Sequence, residues 1–207
     1  MFKKAEILQL FPTCVWRHEL ADSAALNDRL AAALAEIRAT TPSRGKIPGS
    51  WQSPGDLHRR PAFGELTQAI LQALQSVMSY LMIEHQGVLL TNCWANVTKA
   101  GASHHLHSHP NNLLSGVYYA RAPESSARIV FQDPRPQAQV MIPAYSDYTP
   151  QNSARQPFEA APGVLLIFPS WLEHQVEEHE AAEERISIAF NAVPKGRLGY
   201  ESGQLDI

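Results

Sequence analysis

The 207-residue chain predicts a mainly β fold with flanking helices, in which an antiparallel barrel or sandwich is supported by N-terminal helices. In the first half, apolar residues recur every three or four positions, the period of a helix. From Thr91 onward, short alternating segments are separated by turn residues, the pattern of antiparallel strands. Four histidines fall within six residues in Ser103-His104-His105-Leu106-His107-Ser108-His109-Pro110. They point to a metal site on that β scaffold, because neutral imidazole is the commonest metal ligand and residues i and i+2 of an extended chain face the same side.

Taken in order, Phe11–Glu19 has the character of a strand that joins the later sheet. Asp22 and Ser23 offer N-caps to a helix from Ala24 to about Ala39,. Pro42–Pro61 is rich in Pro, Gly and Ser and reads as a loop, which is where a substrate lid would lie,. A second helix runs from about Phe63 to Glu84, with Leu66, Ile70, Leu74, Val77 and Leu81 as its apolar stripe,. The strands expected after it are Cys93–Thr98, Leu114–Arg121, Ala127–Gln132, Gln139–Ile142, Gln156–Ala160, Gly163–Phe168, His174–Val176 and Arg185–Val193. The tail Pro194–Ile207 has little apolar content and reads as a lid, a dimer contact or a disordered end,. The length fits one folded unit: helical support over 1–90, a β core over 91–194 and the tail over 195–207,.

Hydrophobic residues make up 44% and charged residues 18% of the chain, ordinary for a globular protein,. A net charge of -3 with scattered Lys and Arg leaves no electrostatic footprint for nucleic acid,. Cys14 and Cys93 are too few and too far apart for a disulfide framework or zinc knuckle,. The N-terminus lacks a signal-peptide pattern and no apolar run is long enough to span a membrane,. The expectation is a soluble, cytoplasmic protein with no membrane contact.

The histidine tract alone has two readings, a solvated polar loop or a ligand set. The strand after it places Ser115, Val117 and Tyr119 on one face,. Downstream, Ala161 to His174 gives a turn, a buried strand, a second turn and a fifth histidine. Arg185-Ile186-Ser187-Ile188-Ala189-Phe190-Asn191 then alternates, with Arg185, Ser187, Ala189 and Asn191 on one face,. An arginine pointing into a barrel needs an anion, and no carboxylate of the chain is an obvious mate. Either a bound carboxylate or dicarboxylate is held by the guanidinium and the Ser187 hydroxyl, or Arg185 forms a surface salt bridge with Glu183 or Glu184. Trp94 and Trp171 are either pocket walls or core residues. His179, in the acidic stretch Glu177–Glu184, is expected to face solvent, and His18, His58 and His85 have no partners in the sequence.

The order His-x-His, Tyr-Tyr strand, Pro-Gly-apolar strand, His and Arg-x-Ser resembles the double-stranded β-helix (a jelly-roll or cupin-like barrel) of the Fe(II)/2-oxoglutarate-dependent oxygenases, in the prolyl-hydroxylase-like branch. Ser115-Gly116-Val117-Tyr118-Tyr119, Phe131-Gln132-Asp133-Pro134-Arg135, Phe168-Pro169-Ser170-Trp171-Leu172 and Arg185 to Asn191 are similar to a group of largely uncharacterised bacterial oxygenases of that superfamily. The resemblance covers about Trp94 to Pro194, with Trp51-Gln52-Ser53 and Leu57-His58 also similar.

That resemblance implies a 2-oxoglutarate-dependent dioxygenase, a hydroxylase that uses O2 to oxidise an unknown substrate with release of succinate and CO2. Its cofactors would be Fe(II) and 2-oxoglutarate. His107 would take the first metal position and His174 the distal one; Arg185 would bind the distal carboxylate of 2-oxoglutarate with Ser187 and Tyr119, and Asn96 would line the same pocket. The chain departs from the family pattern at His107-Ser108-His109, where imidazole stands in place of the usual carboxylate,. Either His109 completes a three-histidine face, or a carboxylate such as Asp133 comes from elsewhere, or the site holds metal poorly. Three histidines are the favoured reading, with His104 and His105 beside the site or at its entrance. A homodimer is compatible with such barrels by analogy. Two rival readings are a three-histidine cupin-type dioxygenase that needs no 2-oxoglutarate, and a non-catalytic module that binds a carboxylate metabolite.

Overall fold

In the computed structural model, which describes residues 3–199 and 202–206, the helical period becomes α1 (Ala24–Thr40) and α2 (Gly64–Tyr80). Each turns an apolar stripe inward: Leu26, Leu30 and Leu34 from α1, and Leu66, Ile70, Leu74, Val77 and Met78 from α2. Full burial of each such side chain contributes about 1.5–3 kcal/mol. α2 stops at Tyr80 rather than near Glu84 because Met82 takes a left-handed φ of 54°. The Ile83 and Met82 amides then close back onto the Met78 and Ser79 carbonyls, which satisfies the last carbonyls and ends the helix.

The strands are β1 (Trp16–Glu19), β2 (Ser50–Gln52), β3 (Gly87–Thr98), β4 (His104–His107), β5 (Leu114–Arg121), β6 (Ile129–Gln132), β7 (Arg155–Phe158), β8 (Val164–Pro169), β9 (His174–Val176), β10 (Arg185–Lys195), β11 (Arg197–Leu198) and β12 (Leu205–Asp206). The major sheet runs β1-β8-β5-β10-β3-β2 and the minor sheet β4-β9-β6-β7, while β11 and β12 pair as a small hairpin. All these ladders are antiparallel. Two such sheets, laid over one another with the helices behind the larger, form the double-stranded β-helix.

Alternation along β10 sorts its side chains. Ile186, Ile188 and Phe190 join the helices in the larger core, whereas Arg185, Ser187 and Ala189 line a cavity on the opposite face. In β5, Tyr118 packs toward the helices and Val117 and Tyr119 pack between the sheets. Gly116 sits where a Cβ would come within 2.3 Å of the Phe190 ring and 2.6 Å of the Leu166 carbonyl oxygen, so only glycine lets β5 lie this close to its neighbours.

Four expectations are corrected. Gln139–Ile142 is not a strand: Pro136–Gln139 is a 3-10 turn, and Val140, Met141 and Ile142 are exposed and pair with no strand among the described residues. Pro134, Pro136 and Pro143 remove amide donors across this stretch, which favours turn over ladder. Pro42–Pro61 is not only loop, because β2 lies within it and pairs with Thr98–Asn96, and Trp51 and Leu57 are buried. The N-terminal strand begins at Trp16, leaving Phe11 exposed. Part of the tail is ordered as the β11–β12 hairpin; Tyr200, Glu201 and Ile207 lie outside the described residues. Among the described residues, no helix is long and apolar enough to cross a membrane.

Candidate active site

His107, on β4, and His174, on β9, are register partners across the minor sheet. Antiparallel partners point to the same face, so both imidazoles enter the space between the sheets, with ring centroids 4.4 Å apart. His109 follows in the turn after β4, where its amide donates to the Ser170 carbonyl. Its ring lies 5.2 Å from each of the other two. One nitrogen from each of the three histidines lies within 4.8 Å of the others, and no other group of three His, Cys, Asp or Glu among the described residues is so arranged.

The hydrogen bonds fix which nitrogens are free. Nδ1 of His107 lies 2.7 Å from the His105 carbonyl oxygen and Nδ1 of His174 lies 2.9 Å from that of Leu172. A carbonyl only accepts, so both rings carry their proton on Nδ1 and present a bare Nε2 to the cavity. Burial pushes His174 down to about 3, reinforced by the neighbouring imidazoles and partly offset by the Leu172 carbonyl. Burial, with His107 beside it, pushes His109 down to about 4. Both are neutral near pH 7, as a ligand must be. Asp133 does not supply a carboxylate here: its side chain is held in a two-pronged ion pair by Arg135.

At the other end of the cavity is Arg185, only 2% exposed. Its guanidinium donates to the Ser187 hydroxyl at 3.1 Å and lies over the Tyr119 ring, 5.0 Å from the centroid. Its Nε and the Tyr119 hydroxyl are buried without a partner. The surface salt bridge considered for Arg185 is not formed, since Glu184 pairs with Arg38 and Arg185 has no carboxylate within reach among the described residues. Burial lowers the Arg185 pKa and raises that of Tyr119. A buried cation left in this state calls for an anion from outside the chain.

His107, His109, His174, Arg185, Ser187, Tyr119 and Asn96 all line one cavity of about 230 Å³. Asn96 accepts a hydrogen bond from Gln52 at 3.2 Å. Gln52, also in the wall, was hidden in a stretch that composition reads as loop, and only its neighbour Trp51 signalled burial. Trp94 is a wall residue, its ring 5.9 Å from that of His109, whereas Trp171 is 56% exposed and belongs to neither wall nor core. A larger cavity of about 320 Å³ lies under α1, but it holds no histidine and its Arg38 and Glu184 pair with each other. His179 does not face solvent. It is fully buried, donating from Nε2 to the Glu183 carbonyl and accepting from the Ala127 amide at Nδ1. It fastens the segment before β10 to the strands beside it.

The residues therefore fit a divalent metal and a carboxylate together. Three imidazoles converge at one end, two of them with Nε2 bare, and at the other a buried guanidinium lacks its counter-charge.

The family model described as "Putative 2OG-Fe(II) oxygenase" matches residues 92–191. Among solved structures, the chain is similar to a prolyl-4-hydroxylase of Pseudomonas putida, at 18% identity and TM-score 0.62 over 89% of this chain and 94% of that one. It is similar to HygX of Streptomyces hygroscopicus, solved with nickel and 2-oxoglutarate bound, at 10% identity and TM-score 0.61 over 88% and 83%. A viral collagen prolyl hydroxylase of Paramecium Bursaria Chlorella virus-1, solved with 2-oxoglutarate, matches at 14% identity and TM-score 0.56 over 86% and 94%. No curated protein sequence matches the chain.

Proposed function

We propose that the chain, whose residues 92–191 match the 2OG-Fe(II) oxygenase family model, is a hydroxylase whose metal is held by His107, His109 and His174 and whose 2-oxoglutarate is anchored by Arg185. When bound, Fe(II) and 2-oxoglutarate supply the oxidation: one O2 is consumed, 2-oxoglutarate becomes succinate and CO2, and a substrate C–H becomes C–OH. The observation that carries this reading is the pairing, in one cavity, of the three-histidine cluster with a buried guanidinium that has no anionic partner.

The chain's own residues do the positioning. The His105 and Leu172 carbonyls hold the His107 and His174 rings by their Nδ1–H groups, which keeps Nε2 aimed inward and makes it the better donor. Phe168 packs against His174 with centroids 4.7 Å apart, and Phe131 packs at 5.8 Å. These rings keep water from that side of the ligand. Arg185 sets the depth of the cosubstrate through a charge-assisted fork, with Ser187 and Tyr119 beside it and Asn96 in the wall,. With imidazole instead of carboxylate at residue 109, the three protein ligands would bring one negative charge fewer to the metal than the usual set.

The test is stoichiometric: Fe(II)-loaded protein with O2 should convert 2-oxoglutarate to succinate, slowly without substrate. Tight Fe(II) binding without any 2-oxoglutarate binding would instead favour a three-histidine dioxygenase that takes its substrate directly on the metal. Binding of a carboxylate indifferent to metal would favour a non-catalytic module.

A further inference from the structure

His104 belongs neither to the three-histidine cluster nor to the contacts of Arg185 with Ser187 and Tyr119, yet the fold brings it into the cavity wall. Its spacing of three from His107 would put the two side chains on opposite faces of an uninterrupted strand. In the minor sheet, however, His104 is paired with Val176 and His107 with His174, and the register shifts between them. Three steps along β4 are thus matched by two along β9, a bulge that re-aims a side chain. Both histidines consequently face the cavity, while His105 between them is exposed.

The chemistry at that end is one-sided. Three buried side-chain atoms without a partner belong to residues lining this cavity: Arg185 Nε, Tyr119 Oη and His104 Nε2. Each can donate a hydrogen bond, and the nearby Ser187 hydroxyl already accepts from Arg185. No carboxylate lines the cavity beside them, and a wall of groups able to donate is complementary to an acceptor-only ligand. A carboxylate, with two oxygens and about four lone-pair sites, has the capacity for three such donors. His104 is also not one of the three histidines whose nitrogens cluster, so a fourth metal ligand is not the role its position offers.

We propose that His104 is a third arm of the dicarboxylate clamp, its Nε2–H donating to the distal carboxylate of 2-oxoglutarate beside Arg185 and Tyr119. The proposal rests on the 2-oxoglutarate reading above and adds a residue that selects for the second carboxylate. It is a binding residue, so its effect is read in affinity.

The experiment is calorimetric titration of the full chain, loaded with Mn(II) as a redox-silent metal, in wild type, His104→Phe and His104→Gln. Each is titrated with 2-oxoglutarate and with 2-oxobutanoate, which lacks the distal carboxylate. His104→Phe keeps an aromatic ring and removes the donor; His104→Gln keeps a donor in case the Phe variant misfolds. The expected result is unchanged Mn(II) affinity in all three. The 2-oxoglutarate Kd should be raised roughly tenfold in His104→Phe and less in His104→Gln, with the 2-oxobutanoate Kd the same throughout. Equal 2-oxoglutarate affinity in wild type and both variants overturns the proposal while leaving the function reading intact. Loss of Mn(II) binding in the variants also overturns it, by making His104 a metal ligand. A wild type that binds Mn(II) but not 2-oxoglutarate overturns the function reading and the proposal with it.

Discussion

His107 and His174 are register partners that each donate an Nδ1–H to the carbonyl two residues upstream, at His105 and Leu172. The same local device, repeated on neighbouring strands, locks both rings in one tautomer and turns both Nε2 atoms toward a common point. A histidine in a core merely needs its two nitrogens satisfied. These two are each satisfied on one side only, as a metal ligand is.

Loss of one of the pair should therefore remove the metal. His174→Ala is expected to show no measurable Mn(II) binding by calorimetry and no metal-induced rise in melting temperature, where wild type shows both. Retained binding at wild-type affinity would mean that the metal sits elsewhere.

Arg185 sets function against stability. Without ligand it is a buried cation that donates to the Ser187 hydroxyl and meets no carboxylate among the described residues. Arg185→Met removes the uncompensated charge and keeps an unbranched apolar stem. In the metal-free protein it is expected to raise stability by on the order of 1 kcal/mol in a urea titration. Mn(II) binding should survive and 2-oxoglutarate binding should be lost. A variant several-fold less stable than wild type would point to an anionic partner inside the chain.

The buried histidines give the metal-free protein a defined pH response. His104 and His109 lie at about 4 and His174 at about 3, each lowered chiefly by burial from 6.5. Below pH 6.5 the unfolded chain takes up protons that the folded chain refuses until about 4. The unfolded state then binds more protons, and stability falls as pH falls. The urea midpoint is expected to be highest above about pH 7 and to drop steadily by about pH 5, before the carboxylates titrate. A midpoint that stays level or rises over that window would contradict neutral, buried imidazoles.

Much of this site was legible because it rests on periods. The alternation from Arg185 to Phe190 separates cavity from core whatever the strand pairs with, and His174 follows, after one turn, an apolar strand that could only be buried. What escaped depends on partners. His104 enters the cavity through a bulge that exists only in the pairing of β4 with β9. His179 sits among glutamates in the sequence, yet backbone bonds with Gly101 and Ala102 hold it inside. Val140-Met141-Ile142 has the composition of a strand and no strand to pair with. Gln52 lies in a segment whose Pro and Gly content hides a three-residue strand.

On the proposed reading, three histidines and a dicarboxylate share one metal. An anaerobic titration of metal-free protein with Fe(II) and then 2-oxoglutarate tests this, following the visible charge-transfer band of a chelated complex, with His109→Ala and His109→Asp in parallel. The expected result is a band in wild type, lost in His109→Ala and retained in His109→Asp. Tight Fe(II) binding with no band in wild type, or a band undiminished in His109→Ala, would contradict it.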